Sequence, residues 1–502
     1  MPLKTGFSFL LFVFISNYNL QAQVNLSVSG FVRDADTGET LISANVALRE
    51  NLKGASSNNA GFYVIGDLAP GTYTLVCSYI GYELYERKIE IKSGENLRLN
   101  IELEPVSLVS EEIVVQASAE QEEAKDIGVA QISTALIKEL PSVFEADVFR
   151  SIQLLPGVKA ASHFSSGLYI RGGSPDQTLI LLDRTTVYNP SHFFGFFSTF
   201  NPDAVKDVRL YKGGYPATFG GRLGSVLDIY NKDGNRKQRS GSVTVGLLTS
   251  RANIEGPFKN GSYALALRRS TLEPILAVLQ NTTEGVPERF YFLDLNGKIN
   301  YDAGPNDKLS LAFYSGVDNV GIPFADDASF DLNYGNQTLS GTWTHIFSDN
   351  VFSNFTATAS RYFSFPLLEI ASTPIERDNN VWDFSLKGDI EYLYSDKHLI
   401  STGFWAGSLT LKLVDFFDDE QTFTSRIQSQ YASYYLQDTW TPAEKWEFIA
   451  GTRVNYFSEG NFLRIEPRFS AEFKPSPRLR FQAAYGRYSQ FLTLVTNEAF
   501  SG

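Results

Sequence analysis

Between residues 463 and 474 the chain alternates without a fault: Leu463, Ile465, Pro467, Phe469, Ala471 and Phe473 fall on one side, with Arg464, Glu466, Arg468, Ser470, Glu472 and Lys474 on the other. Successive side chains of a strand point to opposite faces, so this spacing predicts a strand with one apolar and one charged face. Residues 446–456 repeat it, with Trp446, Phe448, Ala450, Val454 and Tyr456 opposite Glu447, Arg453 and Asn455. Pro475-Ser476-Pro477 then predicts a tight turn, after which Leu479, Phe481, Ala483 and Tyr485 resume the apolar side opposite Arg480 and Gln482. Further runs at 309–314, 351–361, 382–394 and 430–440 bring the count beyond residue 235 to about a dozen strands, joined by alternating short and long connections. A soluble barrel with its apolar side inward shares this alternation. Short turns at one end and long loops at the other favour a barrel whose apolar side faces lipid.

A different pattern precedes it. Residues 154–232 hold four short apolar runs, at 167–170, 178–183, 205–211 and 226–230, with the branched and aromatic content of strands. Glycine pairs separate them: Gly172-Gly173, Gly213-Gly214 and Gly220-Gly221 allow positive φ and close backbone approach. The turns carry charge, including Arg171, Asp183 and Arg222. An apolar centre in a charged, glycine-looped shell suits a globule seated in a polar tube, and equally an ordinary α+β domain. The order of LLPGV, YIRGGSPDQTLILLD and FNPDAVKDVRLYKGGYPATFGGRLGSVLDI resembles the plug domain of TonB-dependent outer-membrane receptors. The resemblance implies a mainly β chain: an N-terminal β-sandwich, an α+β plug at 126–235, and a transmembrane β-barrel from 236 to 502 enclosing the plug. Plugged transporters of this kind have about 22 strands. The barrel is therefore expected to be incomplete, as a fragment, a truncated product, or one completed by something else.

Residues 1–22 read as a signal peptide, with Lys4 ahead of an apolar core at 7–15 and cleavage after Ala22. Residues 23–104 suggest a sandwich, with strands at 28–32, 44–48, 61–65, 71–79, 87–91 and 97–103. The motifs GFVRDADTGETLISANV, NNAGFYVIGDLAPGTYTL and SYIGYE resemble the carboxypeptidase regulatory-like domain of Bacteroidetes-type receptors. That name carries no peptidase chemistry here, because none of His163, His192, His345 and His398 has Glu at the third following position. Residues 126–153 suggest short helices broken at Pro141.

Residues 105–125 form a polar, acidic linker with one β-branched island, Glu111-Glu112-Ile113-Val114-Val115. On pattern alone the island is as readily the last strand of the sandwich or the first of the plug. By the resemblance it is the TonB box, which TonB grasps from the periplasm by strand addition. The phenylalanine-rich segment 191–200 lies between Asn-Pro turns. By the same resemblance, plug loops touch an extracellular substrate, which makes His192, Phe193, Phe194, Phe196 and Phe197 candidate contacts. The alternative is that they pack against the wall or the plug core.

Composition sets the remaining limits. A net charge of −13 argues against a nucleic-acid partner. Aromatic residues at 14%, with 39 Phe and 25 Tyr, fit the girdles of outer-membrane barrels embedded in lipid. Cys77, the single cysteine, forms no internal disulfide and reads as a buried hydrophobe. No enzyme, cofactor or metal site is expected. The function implied is TonB-driven import of a scarce, large substrate, with a non-transporting receptor or a signalling or adhesion protein as the alternative.

Overall fold

The computed structural model describes residues 26–51, 53–106, 128–133, 137–138, 145–160, 167–281, 285–476 and 479–493. The signal segment, the island at 111–115 and His163 lie outside the described residues.

The N-terminal unit is a two-sheet sandwich. Leu26–Asp34 pairs antiparallel with Phe62–Leu68 and parallel with Leu97–Arg98 and Ile101–Leu103. The facing sheet runs Gly54–Ser56, Asn45–Leu48, Gly71–Ser78, Tyr85–Ile91. Val28, Val32, Val46, Leu75, Cys77 and Ile89 interlock between the sheets. Burial pushes the Cys77 thiol up to about 12, as expected of an inert core residue. The run expected at 97–103 is split because Leu99 lies hard against Gly30, where a Cβ would come within 1.9 Å of the Leu99 carbonyl oxygen.

The plug is built on a mixed sheet in the order Thr185–Thr186, Thr178–Leu182, Ser225–Asn231, Val205–Tyr211, Val129–Ser133. Three of the four expected runs enter it. Leu168–Ile170 instead pairs with Val158–Ala160 in a separate hairpin, and the edge strand Val129–Ser133 takes part of a stretch expected to be helical. Within that stretch residues 137–138 are helical, and a further helix, Val148–Gln153, starts at Asp147, whose Oδ1 accepts the Phe149 and Arg150 amides at 2.8 and 3.0 Å.

Thirteen strands from Ser240–Val245 to Leu479–Gly486 make one antiparallel sheet, each paired with its sequence neighbours. Among the described residues the first and last do not pair with each other, so the sheet is an open wall. It curves around the plug, and every strand from Thr249–Phe258 to Phe462–Ser476 touches it. Its polarity is inverted relative to a soluble protein. In Arg289–Asp302, Asp294, Asn296, Lys298 and Asn300 are buried, whereas Leu293, Ile299 and Tyr301 are exposed. Likewise Glu466, Arg468 and Glu472 are inside and Leu463, Ile465 and Phe469 outside. Trp343, Trp440, Trp446 and Tyr394 form an exposed aromatic band towards one end, as at a membrane interface.

The connections differ from the expected short and long alternation. Strands such as Thr373–Ser395 and Glu420–Ala443 run 23 and 24 residues, about twice the length that crosses a bilayer. At the far end they close in two-residue turns, Ala371-Ser372 and Asp418-Asp419, all with positive φ. Such turns match the twist of paired strands, so residues expected to be loop continue the ladder instead. The longer connection at 271–288 carries a helix, Glu273–Gln280.

The sandwich docks at the aromatic-banded end. Phe62 stacks on Phe352 at 5.5 Å, with Phe31 and Ile346 beside them. Arg98 donates to Asn306 at 2.7 Å, Asn96 to Asp349 at 2.7 Å, and Lys53 pairs with Asp396 at 3.2 Å.

Candidate functional site at the seam between plug and wall

Among the described residues, three groups of contacts between plug and wall stand out beside single bonds such as Tyr188 to Asp383. The first is the loop between the short paired strands Ser191–His192 and Phe197–Ser198. His192 Nδ1 lies 2.5 Å from Asp318 Oδ2 and Nε2 2.8 Å from Asp294 Oδ1, with the ring stacked on Phe292 at 4.2 Å. Carboxylates at both nitrogens require both to carry hydrogen, which makes the ring a cation. Burial opposes that charge, but Asp294 and Asp318 outweigh it and raise the pKa to about 9. Arg268 and the Tyr314 hydroxyl also donate to Asp294, at 2.7 and 2.8 Å, and Arg268 reaches the Ser198 carbonyl at 2.6 Å. The Phe193 amide donates to Asp318 at 2.9 Å.

The second is the turn between Thr178–Leu182 and Thr185–Thr186. Its central residues, Asp183 and Arg184, both have positive φ, at 43° and 69°. Such turns favour Asn-Gly, and holding other residues there costs about 1–3 kcal/mol each. The wall supplies the restraint: Lys298 donates to Asp183 at 3.0 Å, Arg184 pairs with Asp389, and Lys387 donates to the Arg184 carbonyl. Nearby, Asp233 is buried yet held far below the ordinary carboxylate range by Lys206 and Lys298.

The third is the loop at 215–222. Wall Arg453 donates to the carbonyls of Ala217 and Thr218 at 3.0 and 2.9 Å, and Arg468 to those of Pro216 and Phe219 at 2.5 and 2.7 Å. Gly220 is required by this contact, because a Cβ there would lie 2.4 Å from Arg453 Nε. Gly221, and likewise Gly172, Gly213 and Gly214, have positive φ. Arg171 and Gly172 lie exposed at the plug rim, and Arg222 donates to the Gly221 carbonyl at 2.9 Å.

The five candidate contact residues separate by burial. His192, Phe193 and Phe197 are buried, Phe196 is half-buried, and Phe194 is 46% exposed. Phe193 stacks on Phe290 at 3.9 Å and Phe197 packs against Phe292, so the loop presents Phe194 as its tip. Sequence reasoning placed Arg453 and Arg468 on a polar strand face without naming their partners, and missed the wall residues Asp294, Asp318 and Lys298. Their signal was a charged residue in the polar phase of an alternating strand, which marks the lumen face without naming its partner.

A charged plug held inside a wall with an apolar outer face defines a plugged outer-membrane β-barrel. Residues 28–115 match the CarboxypepD_reg-like domain, 116–226 the TonB-dependent Receptor Plug Domain, and 194–497 the TonB dependent receptor-like beta-barrel. The last match covers more than half of the chain, which belongs to the TonB-dependent receptor family of the outer membrane. The TonB-dependent receptor P39 of Formosa agariphila is 29% identical over 260 residues, 49% of this chain and 23% of that protein. The siderophore receptor PirA of Pseudomonas aeruginosa superimposes with a TM-score of 0.55 at 18% identity, over 74% of this chain and 63% of that one. For the outer membrane transporter YddB of Escherichia coli the TM-score is 0.56 at 12% identity, over 72% and 61%. The chain thus spans less than a quarter of the curated relative's length and under two thirds of these solved chains.

Proposed function

We propose that the protein is the receptor for TonB-driven import of a scarce, large substrate across the outer membrane. Substrate meets the Phe194 tip and the wall above it. Its arrival loosens the His192 loop and frees Glu111, Glu112, Ile113, Val114 and Val115 into the periplasm. TonB adds a strand there and pulls, with energy drawn from the inner-membrane proton gradient. The observation that carries this reading is the polar seam: buried ion pairs and backbone hydrogen bonds join plug and wall at separate fastenings, and each of these groups regains a partner in water once its fastening opens.

A growth comparison of a deletion strain under iron, cobalamin and polysaccharide limitation identifies the substrate. Val114→Pro then removes a strand donor and should abolish uptake while leaving cell-surface binding intact. Normal uptake by that variant refutes the assignment.

A further inference from the structure

Above the plug the lumen side of the wall changes character. On each strand the lumen-side positions follow by steps of two from the last residue that bonds the plug. Past Asp318 and Tyr334 they are Val320 and Leu332, which face each other across the ladder, and past Ser360 they are Tyr362, Ser364, Pro366 and Leu368. On His398–Phe417 they are Leu409, Leu411 and Leu413, with Leu411 paired to Val381 on one side and Ile427 on the other. The reversal is visible within this one strand. Phe404 is 42% exposed on the lipid side and Leu409 is buried on the lumen side, while Lys412 takes the outer face and pairs with Asp378 at 2.7 Å.

Across the seven strands from Arg289–Asp302 to Glu420–Ala443, the charged lumen-side residues above the plug are, among those described, Arg377, Asp415 and, at the rim opposite Phe417, Glu420. Arg377 and Asp415 neutralise each other through two hydrogen bonds of 2.7 and 2.9 Å. Phe423 and Ile427 stay exposed on this concave face, and Phe194 stands exposed on its floor. Exposed apolar surface inside a recess is covered by a ligand that presents apolar surface of its own. A polyanion finds no free counter-charge on these strands, and a polycation finds only the rim carboxylate of Glu420.

We infer that this vestibule binds an amphiphilic small molecule through an uncharged aliphatic or aromatic portion seated against Leu411, Phe423, Ile427 and Phe194. The inference rests on the import reading only for the direction in which the ligand travels; binding itself needs no TonB. The test uses the full chain in lipid nanodiscs, with empty nanodiscs as the blank. Two water-soluble probes are compared by fluorescence polarisation: carboxyfluorescein bearing a hexyl chain, and the same dye without it. The hexyl dye should bind saturably and at least about tenfold more tightly. Phe423→Asp should remove most of that difference and the milder Phe423→Ala part of it, with heat-modifiable gel migration confirming that both variants stay folded. Equal binding of the two dyes, or hexyl binding indifferent to both substitutions, overturns the inference. Tight hexyl binding in a protein that supports no uptake leaves this inference standing and sinks the transport reading instead.

Discussion

The His192 ring of the plug and the Asp318 carboxylate of the wall meet at 2.5 Å, where both are almost wholly shielded from water. A buried pair of this kind is most costly when one member is lost, because the other remains charged and unpaired. His192→Ala should therefore loosen the plug by about 3–5 kcal/mol. Urea titration followed by hydrogen exchange in residues 191–200 measures this directly; an unchanged midpoint would show that the contact carries no load.

The same pair predicts a pH dependence. The folded pKa of His192 is raised to about 9, above the ordinary histidine value of about 6.5. Its contribution is thus fully present below that ordinary value and is lost as pH rises through about 9. The urea midpoint of the plug should fall between pH 7 and 10, and His192→Gln should flatten that slope.

At the third fastening, Gly220→Ala places a Cβ against Arg453 Nε and should destabilise the seat by about 1–3 kcal/mol. Pairing it with Arg453→Ser, which clears the space, should recover part of the loss. A double-mutant cycle with strictly additive effects would rule out the clash as the cause.

Phe62→Ala removes one face of the stack on Phe352 and should weaken sandwich docking by up to about 3 kcal/mol without unfolding either unit. Limited proteolysis between residues 106 and 128 should become faster. Unaltered cleavage would mean that the polar contacts of Arg98 and Lys53 suffice.

The sequence made the lower wall legible because its alternation is a local signal. Glu466, Arg468 and Glu472 share one face, which turns inward, and Leu463, Ile465 and Phe469 share the other, which turns outward. Alternation gives no warning where the phase reverses: Leu409, Leu411 and Leu413 alternate with Thr410 and Lys412 just as lipid-facing residues would, yet they face the lumen. Period two fixes which residues share a face but not which face that is. In the plug, glycine pairs marked the turns. The partners of His192, over a hundred residues away in the chain, could not be read from any local pattern.

The long hairpins of the wall, closed by two-residue turns, have a consequence for recognition. A rim woven from paired strands arrives already shaped, so a ligand need not order it, and little conformational freedom is lost on contact. The same stiffness limits adaptation: a rim of this construction should hold a narrow set of ligands firmly, and new preferences would come from exchanging side chains on a fixed lattice more readily than from remoulding the backbone.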